Sequence, residues 1–143
     1  MSFDLRINNG DISIGSDGDI SKIEDIEKLV QDILKMLMTP LGSNVFFPWY
    51  GSTLTNSQIG QVFDEVFRKT AIEQQIRSNL ETLQRLQKQQ MADGQKVTPG
   101  ELLAAIQSVS VTRNIVDPTY FTIAVNVLTK GFRSTTAVLD VSL

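Results

Sequence analysis

The chain of 143 residues sets 13 Lys and Arg against 16 Asp and Glu, a formal charge of -3, with 41% hydrophobic and 7% aromatic side chains. This is the composition of one soluble domain, long enough to bury a core without disulfides or a structural metal, and it excludes disordered and collagen-like architectures. With 0 His and 0 Cys there is no thiolate nucleophile, no Ser-His-Asp triad and no imidazole or thiolate metal ligand, and with a pI near 4.9 and no basic run the chain does not read as a nucleic-acid binder.

Residues 1–30 hold several Asp and no positive n-region ahead of an apolar stretch, so no signal peptide is expected. No 18-residue apolar run exists to cross a bilayer, and the chain is expected to be made in a cytoplasm. Phe3-Asp4-Leu5-Arg6-Ile7 alternates apolar and polar side chains, Asn8-Asn9-Gly10-Asp11 is turn chemistry, and Ile12-Ser13-Ile14 alternates again, which predicts a small hairpin. Gly15 to Asp19 is a second turn.

Ser21-Lys22-Ile23-Glu24 matches a capping box, and Ile26, Leu29, Val30, Ile33, Leu34 and Leu37 follow at three- and four-residue spacing, which predicts a helix over about 22–38. Thr39-Pro40-Leu41-Gly42-Ser43 ends it, because proline removes a donor and disfavours helix at the residue before it. Phe46-Phe47-Pro48-Trp49-Tyr50-Gly51 is too broken to be an element. A second capping box, Thr55-Asn56-Ser57-Gln58, opens a helix expected from 57 to about 90, carrying Ile59, Val62, Phe63, Val66, Ile72, Ile76, Leu80, Leu83 and Leu86.

At ~1.5 Å per residue that helix spans roughly 50 Å, longer than the expected diameter of a domain of this size, so its second half, about 74–92, is expected to protrude. There its Ile76, Leu80 and Leu83 stripe is narrow and glutamine-rich, a surface for another chain rather than a thick core. Thr98-Pro99-Gly100-Glu101 is a third capping box and predicts a short helix over about 99–106. The rest alternates as strands near 109–115, 121–127 and 135–143, an antiparallel three-strand meander. The reading is one α+β domain over residues 1–143: a small N-terminal hairpin, two main helices of which one is long and protruding, a short helix and the C-terminal meander.

Carboxylates are the remaining candidates for acid-base chemistry, and a glycosidase needs two of them about 5 to 10 Å apart with one pKa raised by an apolar setting. Asp64, Glu65, Glu73 and Glu81 on the long helix, and Asp25, Glu27 and Asp32 on the first, read instead as solvated helix surface. Asp11, Asp17 and Asp19 lack the spacing of an EF-hand loop and read as turn residues. Ser52, Thr53 and Thr55 have no base beside them and read as capping residues. No catalytic residue, metal or cofactor is therefore assigned.

Three features point outward. The aromatics Phe46, Phe47, Trp49 and Tyr50 fit either a partner hot spot or a local mini-core. The stripe Ile76, Leu80 and Leu83 is the second, with a two-stranded helical hairpin inside the domain as its alternative. The third is the last strand, where Ala137, Leu139 and Val141 share one face, Val138 and Asp140 the other, and a backbone edge is left either for pairing with another chain or as an ordinary sheet edge.

Asp4-Leu5-Arg6-Ile7, Gly10-Asp11-Ile12, Gly15-Ser16-Asp17-Gly18-Asp19-Ile20, Ile26 to Ile33, Leu37-Met38-Thr39-Pro40-Leu41-Gly42-Ser43 and Trp49-Tyr50-Gly51-Ser52-Thr53-Leu54 together resemble the baseplate wedge family of contractile-tailed phages. That family is known by the gene twenty-five product, is sometimes labelled lysozyme-like, and is related to the small baseplate subunit of type VI secretion systems. The resemblance covers about residues 3–60 by motif and the remainder by layout. Many members carry Glu-Pro-Arg before the C-terminal strands; Thr98-Pro99-Gly100-Glu101 stands there in this chain, so a contact made through that motif does not carry over. The resemblance implies a non-enzymatic virion subunit in a six-fold assembly around the tail tube. It would bind other wedge proteins and the tail sheath, with a sheath strand adding to its sheet and neither nucleic acid nor membrane as partner. The alternatives are a peptidoglycan-cleaving enzyme, which the family label suggests, and a freestanding adaptor.

Overall fold

The computed structural model describes residues 3–54, 65–117 and 120–142. Two helices cover one face of a three-stranded antiparallel sheet, and a two-part ribbon is formed within residues 4–23, so the class is α+β as the element pattern predicts. Strands β1 (Asp4–Leu5) and β4 (Lys22–Ile23) pair with each other, and β2 (Ile7–Asn8) and β3 (Asp11–Ile12) make a tighter hairpin inside them. Asn9 and Gly10 close that hairpin with φ of 51° and 82°, the two left-handed residues that a type I′ turn requires and that Asn-Gly supplies at least strain.

The first capping box does not form. Ser21 donates its N–H to Ser13 O, and its own carbonyl accepts from Arg6 N–H, both at 2.9 Å. Residues 21–23 are therefore ribbon, which buries Ile23, and α1 starts later than predicted, at Asp25–Met38, with Glu24 making no side-chain cap. Helix α1 sends Leu29, Ile33, Met36 and Leu37 into the core. Its polar side holds the ribbon: Glu27 pairs with Arg6 at 2.7 Å, Gln31 Nε2 donates to Leu5 O at 2.8 Å and Gln31 Oε1 accepts from Ile7 N–H at 2.9 Å, and Lys35 pairs with Asp4. The spacing of 27, 31 and 35, one helical turn per step, matches three successive points of an extended strand.

The predicted Thr55 to Gln58 cap and the first turns of the second helix lie outside the described residues; within them α2 runs Glu65–Ala92. The expectation that its second half protrudes is wrong. Ile72, Ile76 and Leu80 are at most 1% exposed and Leu83 is 6% exposed, all inside the core cluster. A helix of 28 residues, roughly 42 Å long, finds cover because strand β5 beneath it, Leu103–Arg113, is 11 residues long, roughly 36 Å. A spherical domain was the wrong yardstick for a helix that lies along a long strand. Two of its glutamines also face inward: Gln84 Nε2 donates to Ala104 O at 2.9 Å, while Gln87 donates to Glu101 O at 2.9 Å and accepts from Leu103 N–H at 2.8 Å.

The predicted helix over 99–106 shrinks to a 3-10 turn at Pro99–Glu101. The third capping box forms, Glu101 Oε1 accepting from Thr98 N–H at 2.7 Å and the Thr98 side chain facing the Glu101 amide, and the Thr98 hydroxyl also donates to Asp25 Oδ1 at 2.9 Å. From Leu103 the chain is strand. Two β-bulges, at Ala104 and Gln107, each insert one residue into the pairing with β6 (Tyr120–Thr129), and each flips the side-chain parity once. Leu103, Ile106, Val109 and Val111 thus all face the helices, although their first spacings of three imitate a helix.

Strand β6 is central, between β5 and β7 (Ser134–Ser142), and the meander has the predicted order, with β5 both starting and ending earlier than expected and the predicted last residue, Leu143, outside the described residues. Phe121, Ile123, Val125 and Val127 of β6 and Ala137, Leu139 and Val141 of β7 are buried against α1 and α2. The β6–β7 turn is closed by Phe132 N–H on Thr129 O at 3.0 Å and Thr129 N–H on Arg133 O at 2.9 Å, with Phe132 at φ 61°. A left-handed conformation costs a residue with a side chain roughly 1–2 kcal/mol, and Phe132 buries nothing in exchange, being 88% exposed.

Candidate functional site

The outer edge of β7 is the clearest open recognition element. The Thr129 to Arg133 bond starts a regular alternation, and the register Val127↔Thr135, Val125↔Ala137, Ile123↔Leu139 continues it without a bulge. Hydrogen-bonded pairs alternate with unbonded ones in an antiparallel ladder, so Thr136, Val138 and Asp140 turn their amides away from β6. Among the described residues no strand pairs with that edge. Ala137, Leu139 and Val141 face the core and Val138 and Asp140 face solvent, the division the alternation predicts; Asp140 Oδ1 accepts from the Thr122 hydroxyl at 2.7 Å. The other sheet edge differs, because Gln84 and Gln87 of α2 occupy backbone groups at the start of β5.

Beside β7 runs a groove of about 320 Å³ whose walls include Ile7, Ile26, Val30, Leu34 and Thr135. Helix α1 therefore carries two apolar rows, 29/33/37 into the core and 26/30/34 along the groove. The second row is the part that sequence reading missed. Its signal was the width of the apolar arc, broader than one core contact needs.

The aromatic run divides. Tyr50 is half-buried against the core, where burial pushes its phenol above the usual range, while Phe46, Phe47 and Trp49 stand largely exposed. Phe47 and Trp49 meet edge to face with ring centres 5.8 Å apart, and Asn44 Oδ1 orders the loop by accepting from Phe46 N–H at 3.0 Å. The mini-core expectation fits Tyr50, and the other three form an apolar surface. Ile76, Leu80 and Leu83, expected at a partner surface, are instead internal packing, because α2 lies against both β5 and α1.

The remaining candidates are structural. Ser52 is buried and donates its hydroxyl to Leu37 O at 2.6 Å, and Thr53 donates to Gln75 Oε1 at 2.8 Å; Thr55 and Asp64 lie outside the described residues. Asp11 Oδ1 and Asp17 Oδ1 accept from the amides of Ile12 and Asp19 within their own turns. Asp32 joins Lys28 at 2.9 Å and Lys35 at 3.3 Å. Burial raises the Asp4 carboxyl, but hydrogen bonding and charge from Lys35, with donors from Leu5 and Gln31, outweigh it and hold the group below its ordinary range. Among the described residues no three acidic side chains stand together as metal ligands, and no helix is long and apolar enough to cross a membrane.

No family model matches the sequence, and no curated protein matches it. Among solved structures the fold matches the crystal structure of a Geobacter sulfurreducens protein described as a candidate tail lysozyme, with a TM-score of 0.61 over 82% of this chain and 89% of that one. At 15% identity the likeness is one of fold.

Proposed function

We propose that this chain is a structural subunit of a phage-type contractile tail or a related injection machine, a baseplate component of the virion that joins other wedge proteins to the first sheath ring. The single observation that carries the reading is the outer edge of β7, with which no strand among the described residues pairs, beside the apolar groove on α1. An incoming extended segment gains main-chain bonds from Thr136, Val138 and Asp140, at about 0.5 to 1.5 kcal/mol each. Its alternate side chains drop onto Ile26, Val30 and Leu34. Copies around a six-fold ring multiply such modest contacts into a firm start for a sheath layer. The exposed Phe46, Phe47 and Trp49 offer a second contact, to a wedge protein. The motif resemblance over residues 3–60 and the tail protein that shares the fold support this setting.

Val138→Pro is the test. It removes an outward donor and leaves the buried face intact, so the variant should fold with an unchanged circular dichroism spectrum and enter baseplates that fail to nucleate sheath. Normal sheathed tails containing the variant would place the contact elsewhere. The name of the Geobacter protein favours a second reading, a peptidoglycan-cleaving enzyme. On the structural reading the purified chain releases no more product from peptidoglycan than buffer does, and turnover abolished by one carboxylate-to-amide change would establish the enzyme instead.

A further inference from the structure

The β6–β7 turn places its aromatic residue where the backbone least favours it. Three loop residues, Lys130, Gly131 and Phe132, end in a left-handed position that glycine fills without strain, yet Phe132 occupies it at φ 61° and Gly131 stands one place too early. Space does not impose that order, since a Cβ built on Gly131 would meet nothing nearer than 3.6 Å. Strain of this kind persists where it serves a contact.

The turn is also rigidly aimed. Lys130 N–H donates to Leu102 O at 3.0 Å, and Arg133 N–H reaches Thr129 Oγ1 at 3.3 Å. Three cations adjoin this turn: Lys130 and Arg133 belong to it, and Lys88 of α2 lines a hollow of about 290 Å³ together with Lys130. Among the described residues none of these three forms an ion pair within the chain.

We propose that this turn is a docking tip for an acidic protein surface: Phe132 enters an apolar socket, and carboxylates around that socket meet Lys88, Lys130 and Arg133. Exposed aromatic anchors ringed by charge are the residues that dominate protein interfaces. Three cations on a chain of net charge -3 suit a local acidic patch better than the extended phosphate array of a nucleic acid. The proposal is independent of the β7 edge and holds for any machine that contains the chain.

The test replaces Phe132 with the photoreactive p-benzoylphenylalanine in the full chain, irradiates the cells that produce it, and maps the adducts by mass spectrometry against the same label at Thr136. The expected result is a protein adduct, mapped to an apolar site bordered by Asp or Glu, that falls at least tenfold in a Lys88→Glu, Lys130→Glu, Arg133→Glu background. Isolated Phe132→Gly should meanwhile melt roughly 2 to 8 °C above the parent chain, as relief of backbone strain requires. Adducts to lipid or nucleic acid, adducts no stronger than at Thr136, adducts at a site without carboxylates, or no rise in melting temperature would each overturn the proposal.

Discussion

Gly51 connects a sequence motif to a packing need. It sits at φ 115°, and a Cβ there would lie 2.5 Å from Thr39 O, because the chain returns at this point to brace the end of α1. Ser52 N–H donates to Thr39 O at 2.8 Å, Leu41 N–H donates to Ser52 O at 2.9 Å, and the Ser52 hydroxyl takes Leu37 O, an orphan carbonyl of the last helical turn. Thr39-Pro40 and Tyr50-Gly51-Ser52, read in the sequence as a stop and a motif, are the two halves of one staple. Gly51→Ala should destabilise the fold by about 1 to 3 kcal/mol, from the disfavoured φ alone before any steric term, and thermal unfolding measures it. An unchanged melting temperature would mean that the staple is dispensable.

At the scale of elements, α2 and β5 show where periodicity misleads. The narrow stripe Ile72, Ile76, Leu80 and Leu83 has the spacing of a partner-binding helix, and nothing local distinguishes a partner strand in the same chain from a partner in another. The structure places β5 under it, so Leu80→Ala should lower the stability of the isolated chain by about 2 to 5 kcal/mol, read as a drop in the urea midpoint. That is a large share of a typical total of about 5 to 15 kcal/mol. A midpoint within error of the parent would return Leu80 to the surface. The helix expected over about 99–106 rested on the Thr98-Pro99-Gly100-Glu101 box; the chain makes one 3-10 turn there and then becomes a strand whose bulges at Ala104 and Gln107 interrupt the two-residue alternation.

For the whole molecule, the N-terminal ribbon is the most conditional part. It is fastened to α1 through Asp4, Lys35, Gln31 and the exposed Arg6–Glu27 pair, with Ile23 as its buried apolar anchor. The Asp4 carboxyl is held below its ordinary range. Its contribution is therefore fully present above the unfolded-state pKa, about 3.9, and is lost as pH falls through the lower folded value. Lys35, raised through its carboxylate partners against the effect of burial, contributes below its unfolded pKa, about 10.4, and loses that contribution as pH rises through the higher folded value. Asp4→Asn should accordingly flatten the acid limb: the urea midpoint of the variant should change less than the parent's between pH 6 and pH 3. Parallel acid limbs would show that the ribbon is held by other means.

Much of this architecture is legible in the sequence because it is local. The alternation of the three final strands, the apolar rows of both helices, the Asn9-Gly10 turn and the Thr39-Pro40 stop follow from backbone geometry and side-chain period, and they brought out Val138 and Asp140 as outward residues of β7. Tertiary structure alone decided what each apolar face meets: Ile76, Leu80 and Leu83 turn to β5, the 26/30/34 row of α1 lines a groove, and Ser21 joins a strand instead of capping a helix. The physical reason is that side-chain period records which residues share a face, whereas the neighbour of that face is set by contacts between segments dozens of residues apart, whose spacing is written in no single stretch of chain.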